Sequence, residues 1–195
     1  MTLAERLRNE TRALHEETEA LLYTEPLRAG TLTREQYGHL LQIHWLFHEA
    51  LETAIDQNPA FFQAYNPDDR RKAPWLEADL AELDVSLPDA RPGLFADWSP
   101  SELLGAAYVG EGSMLGGKVV MHLLHKSPEV EPLLTNARFY QGYGVDAMTK
   151  WAGFKAILAD QTEDSHDTIV EAAYQTFRAY HDIFRTTKRE KPPVC

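Results

Sequence analysis

Arg8, Arg12, His15 and Glu19 follow one another at spacings of four, three and four residues. On a helix that spacing stacks them down one face. A histidine with a carboxylate one turn later is a metal-binding pair in outline. The carboxylate accepts the Nδ1–H, fixes the tautomer and leaves Nε2 free for a metal. The two arginines would point toward the exposed edge of a flat ligand lying against the helix. An ordinary amphipathic helix with a marginal histidine and a solubilising i,i+4 pair has the same spacing. Spacing alone leaves both readings open.

A second group of residues is costly where it stands. Five of the 11 glycines, Gly105, Gly110, Gly112, Gly116 and Gly117, fall between positions 105 and 117. A helical glycine costs up to about 1 kcal/mol against alanine. Five would remove roughly 3–5 kcal/mol from a domain whose whole stability is about 5–15 kcal/mol. A helix kink, a close helix–helix approach or a backbone lying against a ligand would each account for them. Gly105 and Gly110 are as readily assigned to packing as to a ligand.

Other histidines carry weaker signals. His44 and His48 sit at i,i+4, and His122 and His125 at i,i+3. Neither pair encloses the glutamate of a HExxH motif, and both are expected to be partly exposed polar positions. Glu163 and His166 make a single Glu-x-x-His, whereas a di-iron site of the ferritin-like kind needs two. Core packing accounts for Trp45, Phe47, Trp151, Phe154, Phe177 and Phe184.

Helices are the elements that must position these groups. Apolar periodicity predicts a first helix from Leu3 to Leu22, with Leu3, Leu7, Leu14 and Leu21 in one arc. A capping box at Thr33–Gln36 opens a second helix that stops at Asn58-Pro59. A short helix is expected over Pro74–Leu83, and another opens at the Ser99–Glu102 capping box and runs to His125. The stretch Pro128–Gly144 is mixed, and helices follow over Val145–Leu158 and His166–Thr187. No stretch alternates like a strand, so the fold class is all-α, with one domain over 1–188 and a frayed tail over 189–195.

Composition narrows the partners. The 195 residues carry 19 Lys+Arg and 30 Asp+Glu, a net charge of −11. Nucleic acid is not an expected partner, because phosphate binding needs a basic surface. No apolar run is long enough for a bilayer, and the N-terminus has no apolar core of a secretory signal. The single cysteine, Cys195, is the last residue, which rules out an internal disulfide and a buried catalytic thiol. A cytoplasmic location is expected.

Taken together, in this order and about a hundred residues apart, the two groups resemble haem oxygenase over nearly the whole chain. Leu7–Glu19 is similar to that family's proximal helix, and Glu111-Gly112-Ser113-Met114-Leu115-Gly116-Gly117 to its distal helix in the bacterial form EGSxLG plus a small residue. Arg71–Leu80 resembles a segment leading to the distal side. Phe139-Tyr140-x2-Tyr143-Gly144 and Trp151-x2-Phe154 resemble a late segment.

The resemblance implies a haem held between two helices, as both cofactor and substrate. His15 would be the axial iron ligand, Glu19 its carboxylate partner, and Arg8 and Arg12 the neighbours of the haem propionates. Gly112, Ser113 and Gly116 would form the catalytic distal face, with Gly117, Lys150, Phe154 and Phe177 also touching haem. Lys155 is an alternative to Lys150. A distal backbone without side chains over the iron would let activated oxygen attack the porphyrin edge, and a neutral histidine ligand fits that outcome better than a thiolate. The implied products are biliverdin, CO and ferrous iron, from O2 and electrons supplied by an external reductase. Ser113 departs from the aspartate that animal-type members carry there. A non-catalytic haem-binding protein, or another metal-dependent oxidase on the same scaffold, is the alternative.

Overall fold

A computed structural model of the chain describes residues 1–189, the last without its side chain, so the tail expected from 189 lies almost wholly outside the described residues. Among the described residues eight α-helices run in the order α1 Leu3–Glu10, α2 Arg12–Leu21, α3 Thr24–Ala29, α4 Arg34–Asp56, α5 Ala73–Glu82, α6 Pro100–Leu124, α7 Ala147–Ala159 and α8 Glu163–Arg189. Short 3-10 turns occupy Pro67–Arg70, Pro92–Leu94, Glu131–Leu133 and Gly144–Asp146. Among the described residues there is no strand.

Both expected capping boxes are present, and Thr2 with Glu5 forms a third at the start of α1. Each satisfies two orphan donors and stabilises its helix by about 1 kcal/mol. Helix α4 buries residues all around its circumference, among them Tyr37, Leu41, Trp45 and Leu51, and so forms the centre of the molecule. Helices α6 and α8 meet at Gly105. A Cβ there would collide with the Ile169 carbonyl oxygen and come within 2.8 Å of the Ala172 Cβ.

The predicted first helix is two helices. Thr11 ends α1 at φ −88° and ψ 0°, and α2 starts at the next residue. Its hydroxyl donates to the Leu7 carbonyl at 2.7 Å, beside its own backbone N–H at 3.1 Å. Back-bonding of this kind bends helices. Leu3 and Leu7 are buried, while Leu14 and Leu21 are only partly so.

Helix α3 was not expected. It is bounded by left-handed residues at both ends, Tyr23 (φ 58°) and Gly30 (φ 68°). Gly30 is needed twice over, since a Cβ would also sit 2.8 Å from the Lys126 carbonyl oxygen. Between α6 and α7 the chain is held by the buried Asp79 carboxylate. It accepts the backbone N–H groups of Arg138 (2.9 and 3.0 Å) and Phe139 (2.9 Å).

Candidate haem-binding cleft

A cleft of about 1020 Å³ separates α1 and α2 from α6. It lies at the upper end of the size range of small-molecule sites, roughly 300–1,000 Å³. Leu40 and His44 of α4, Phe139, Tyr140, and Phe177 and Tyr180 of α8 form its inner wall. Arg8, Arg12 and Arg28 stand around it and are exposed. An apolar, ring-lined interior with cations outside suits a flat ligand with one apolar edge and one anionic edge.

On the α2 side, His15 keeps 52% of its side chain exposed. Its ring stands edge-on to Phe177, with centroids 5.7 Å apart and planes at 73°. Glu19 is its neighbour as expected, but the nitrogen facing the carboxylate is Nε2, at 3.4 Å, not Nδ1. A half-turn of the ring about χ2 exchanges each nitrogen with a ring carbon, so placing Nδ1 against Glu19 and freeing Nε2 requires a different His15 side-chain rotamer. Arg12 Nε lies 2.8 Å from Glu16 Oε1 in an exposed pair, and among the described residues Arg8 forms no such pair.

On the α6 side the five glycines divide. Gly105 is a packing contact with α8, and Gly110 faces the rings of His48 and Phe47, at 3.3 and 3.4 Å from a Cβ position. Gly117 borders the cleft, but its need for glycine comes from the Tyr140 carbonyl oxygen, 2.8 Å from where a Cβ would be. Gly112 and Gly116 have nothing within 4 Å of theirs and line the cleft. Ser113 is exposed beside them, and its hydroxyl donates back to the Gly110 carbonyl at 2.8 Å.

Two residues expected to touch the ligand stand elsewhere. Lys150 Nζ lies 3.5 Å from Asp69 Oδ2 and 5.9 Å from the Tyr143 ring centroid, outside the cleft wall. Phe154 is fully buried in the core, stacked on Trp151 at 5.8 Å. The inward face of α7 offers Trp151 to the cleft and turns Phe154 beneath it. Lys155 is exposed and does not line the cleft.

Sequence reasoning also passed over groups that the fold brings to the site. Tyr108 lines the cleft beside Arg8 and Thr11, and burial raises the pKa of its phenol. Arg28 arrives on α3, which was not anticipated. His44 and His48 are buried, contrary to the partly exposed positions expected of them. Burial pushes His44 down to about 3 and His48 well below its ordinary value, so both are neutral. His122 and His125 are exposed as expected.

Glu111 received no role from its spacing, yet it centres a buried ionic cluster directly before Gly112. Lys72 Nζ donates to Oε1 and Arg70 Nη1 to Oε2, each at 2.5 Å. The hydroxyls of Tyr65 (3.0 Å) and Tyr143 (2.9 Å) donate to Oε1. Burial raises the Glu111 pKa, but Lys72 and Arg70 outweigh it, and the carboxylate is held below its usual range. Lys72 is pulled down by its own burial and supported by Glu111. Five residues from three stretches of chain thereby fix α6 at the residue preceding the open glycines.

Among the described residues no group of three or more His, Cys, Asp or Glu could hold a metal ion, and no helix is long and apolar enough to cross a membrane.

Comparison with known proteins agrees with the geometry. The family model described as Heme oxygenase matches residues 1–186. A heme oxygenase of Xanthomonas campestris is 25% identical over 169 residues, 84% of this chain and 97% of the relative. Heme oxygenase from Leptospira interrogans superposes with a TM-score of 0.82 at 17% identity, over 95% of this chain and 100% of that one. The Neisseria meningitidis enzyme, solved with NO and CO bound, superposes at 0.78 with 19% identity, over 100% and 96%. Heme oxygenase-1 of the cyanobacterium Synechocystis, solved with heme, gives 0.76 at 15% identity, over 97% and 93%. With a full-length family match and an all-α fold shared with these bacterial structures, the chain belongs to the haem oxygenase family.

Proposed function

We propose that this chain is a haem oxygenase, cleaving haem to biliverdin, CO and ferrous iron with O2 and electrons from an external reductase. The observation that carries the reading is a single juxtaposition. A half-exposed imidazole, His15, shares a cleft with two helical glycines, Gly112 and Gly116, whose missing side chains leave backbone facing the ligand space.

The residues present fit a porphyrin dicarboxylate. His15 binds the iron through one nitrogen while Glu19 takes the N–H of the other. Phe177 supports the imidazole edge-on. Arg8 and Arg12 hold the propionates, and Arg28 adds a third cation to the cleft. Gly112 and Gly116 let the ring lie close to α6. Ser113 has spent its proton on the Gly110 carbonyl, so it presents lone pairs only. Tyr108 is the one titratable group that α6 contributes to the cleft, and the buried His44 on the inner wall stays neutral. Bound haem supplies the iron at which O2 is activated and the ring carbon that receives the oxygen. The protein's part is to hold the ring, exclude bulk water from its inner edge and keep strong acids away from the distal glycines.

Hemin titration tests the reading. A one-to-one complex with a shifted Soret band that His15→Ala alters, and biliverdin formation on adding a reductant and O2, are the expected results. Binding without turnover would make the chain a haem carrier. No complex at all would remove the reading.

A further inference from the structure

Helix α2 carries His15, yet it is seated shallowly: its one buried residue is Thr18. Three contacts from α8 hold this part of the chain. The Tyr174 hydroxyl donates to the Glu10 carbonyl at 2.5 Å, the Phe177 ring stands against His15, and His181 Nε2 lies 2.9 Å from Thr18 Oγ1. The successive α8 residues 174, 177 and 181 thus meet residues 10, 15 and 18.

The direction of the last contact follows from counting protons. The Thr18 hydroxyl has one, and it is given to the Leu14 carbonyl at 2.7 Å. Thr18 Oγ1 is therefore the acceptor toward His181, and Nε2 of His181 is the nitrogen that carries hydrogen. The chain of bonds runs from His181 through Thr18 to the carbonyl of the residue immediately before His15. An imidazole in this role fixes the rotation of α2 at the turn that presents His15 to the cleft, where burial alone does little.

We propose that His181 is a positioning residue for His15, acting through the hydroxyl of Thr18. The inference rests on the reading of His15 as the haem iron ligand. It predicts a specific pattern among four variants of the full chain. His181→Ala and Thr18→Val should each weaken hemin binding about tenfold, the affinity equivalent of one lost hydrogen bond. Both should also shift or broaden the iron–imidazole stretching band of the ferrous complex in resonance Raman spectra. His181→Gln, which keeps an N–H donor, and Thr18→Ser, which keeps the hydroxyl, should retain the wild-type band and affinity. In the ligand-free protein, amide hydrogen exchange over residues 14–18 should accelerate in the first two variants and not in the second two.

Wild-type affinity, band and exchange in both His181→Ala and Thr18→Val would overturn the proposal. So would equal damage in the conservative pair, which would reduce the contact to general packing. Should one variant fail to fold, the other tests the same bond from its opposite end. Wild-type protein that forms no Soret complex would instead defeat the haem reading, before any variant is made.

Discussion

The Lys72 ammonium lies 2.5 Å from a Glu111 carboxylate oxygen, and the two side chains keep only 2% and 1% of their surfaces exposed. A pair so placed gains little over an apolar pair but is costly to break, because the survivor is left charged and dry. Lys72→Ala is expected to destabilise the fold by about 3–5 kcal/mol, read from denaturant unfolding. Glu111→Gln should cost at least as much, since it strips two cations, Lys72 and Arg70, of their counter-charge. A loss below about 1 kcal/mol in both would mean that water enters the cluster.

The two open glycines should trade stability against binding. Gly112→Ala and Gly116→Ala meet no neighbour, so each should raise helix stability by up to about 1 kcal/mol. Each also places a methyl group on the ligand side of α6, and hemin affinity should fall. Gly105→Ala does the reverse. Its Cβ collides with the Ile169 carbonyl, and the expected cost is about 1–3 kcal/mol with little direct effect on the cleft. Melting curves paired with hemin titrations separate the two classes.

Stability should fall as the pH drops below neutrality, and the buried histidines set the window. His44 and His48 have lower pKa values folded than unfolded, so the unfolded chain binds more protons. Their contribution is complete above about 6.5, the unfolded value, and declines below it, down to about 3 for His44. Each histidine contributes up to about 1.4 kcal/mol per pH unit within that window. Glu111, also depressed, adds a further loss as pH falls below the ordinary carboxylate range and through its folded value. Urea melts from pH 7 to pH 5 should show the slope, and His44→Gln should flatten it.

The arginines around the cleft make a prediction about charge. Among the described residues Arg8 has no ion-pair partner, while Arg12 already faces Glu16 at 2.8 Å. Arg8→Ala should therefore weaken hemin binding more than Arg12→Ala. With the dimethyl ester of haem, which lacks the propionate charges, the difference should vanish. Equal losses with both ligands would assign Arg8 to packing instead.

Much of this architecture is legible in the chain because its signals are local. Thr33 and Ser99 with their partners three residues on announce α4 and α6, and the order of His15 and the 105–117 glycines carries the resemblance that implies a cleft between two helices. What escapes is decided by neighbours distant in sequence. Whether a glycine is open or crowded depends on Ile169, His48 or Tyr140, none of them visible from the glycine run itself. Phe154 and Trp151 are interchangeable as periodic aromatics until Tyr65 and the core select which one turns inward. Glu111 opens the EGSxLG stretch with no partner visible in the sequence, and only the fold delivers Arg70 and Lys72 to it. The break at Thr11 is the exception, a local event that apolar periodicity passes over because a threonine interrupts nothing in the pattern.

The shallow seat of α2 has a consequence for traffic through the cleft. The two walls have unequal resistance to opening. Helix α6 is pinned by Glu111 and closely packed against α8, whereas α2 rests on Thr18, a few half-buried leucines and the edge of Phe177. The free energy of local opening is lowest where buried apolar contacts are fewest. A ligand enclosed between two helices leaves past the one that costs less to lift. With His15 as the proposed iron ligand, the gate would be the helix that bears it, so that loosening that ligand's grip and opening the way out would be one motion.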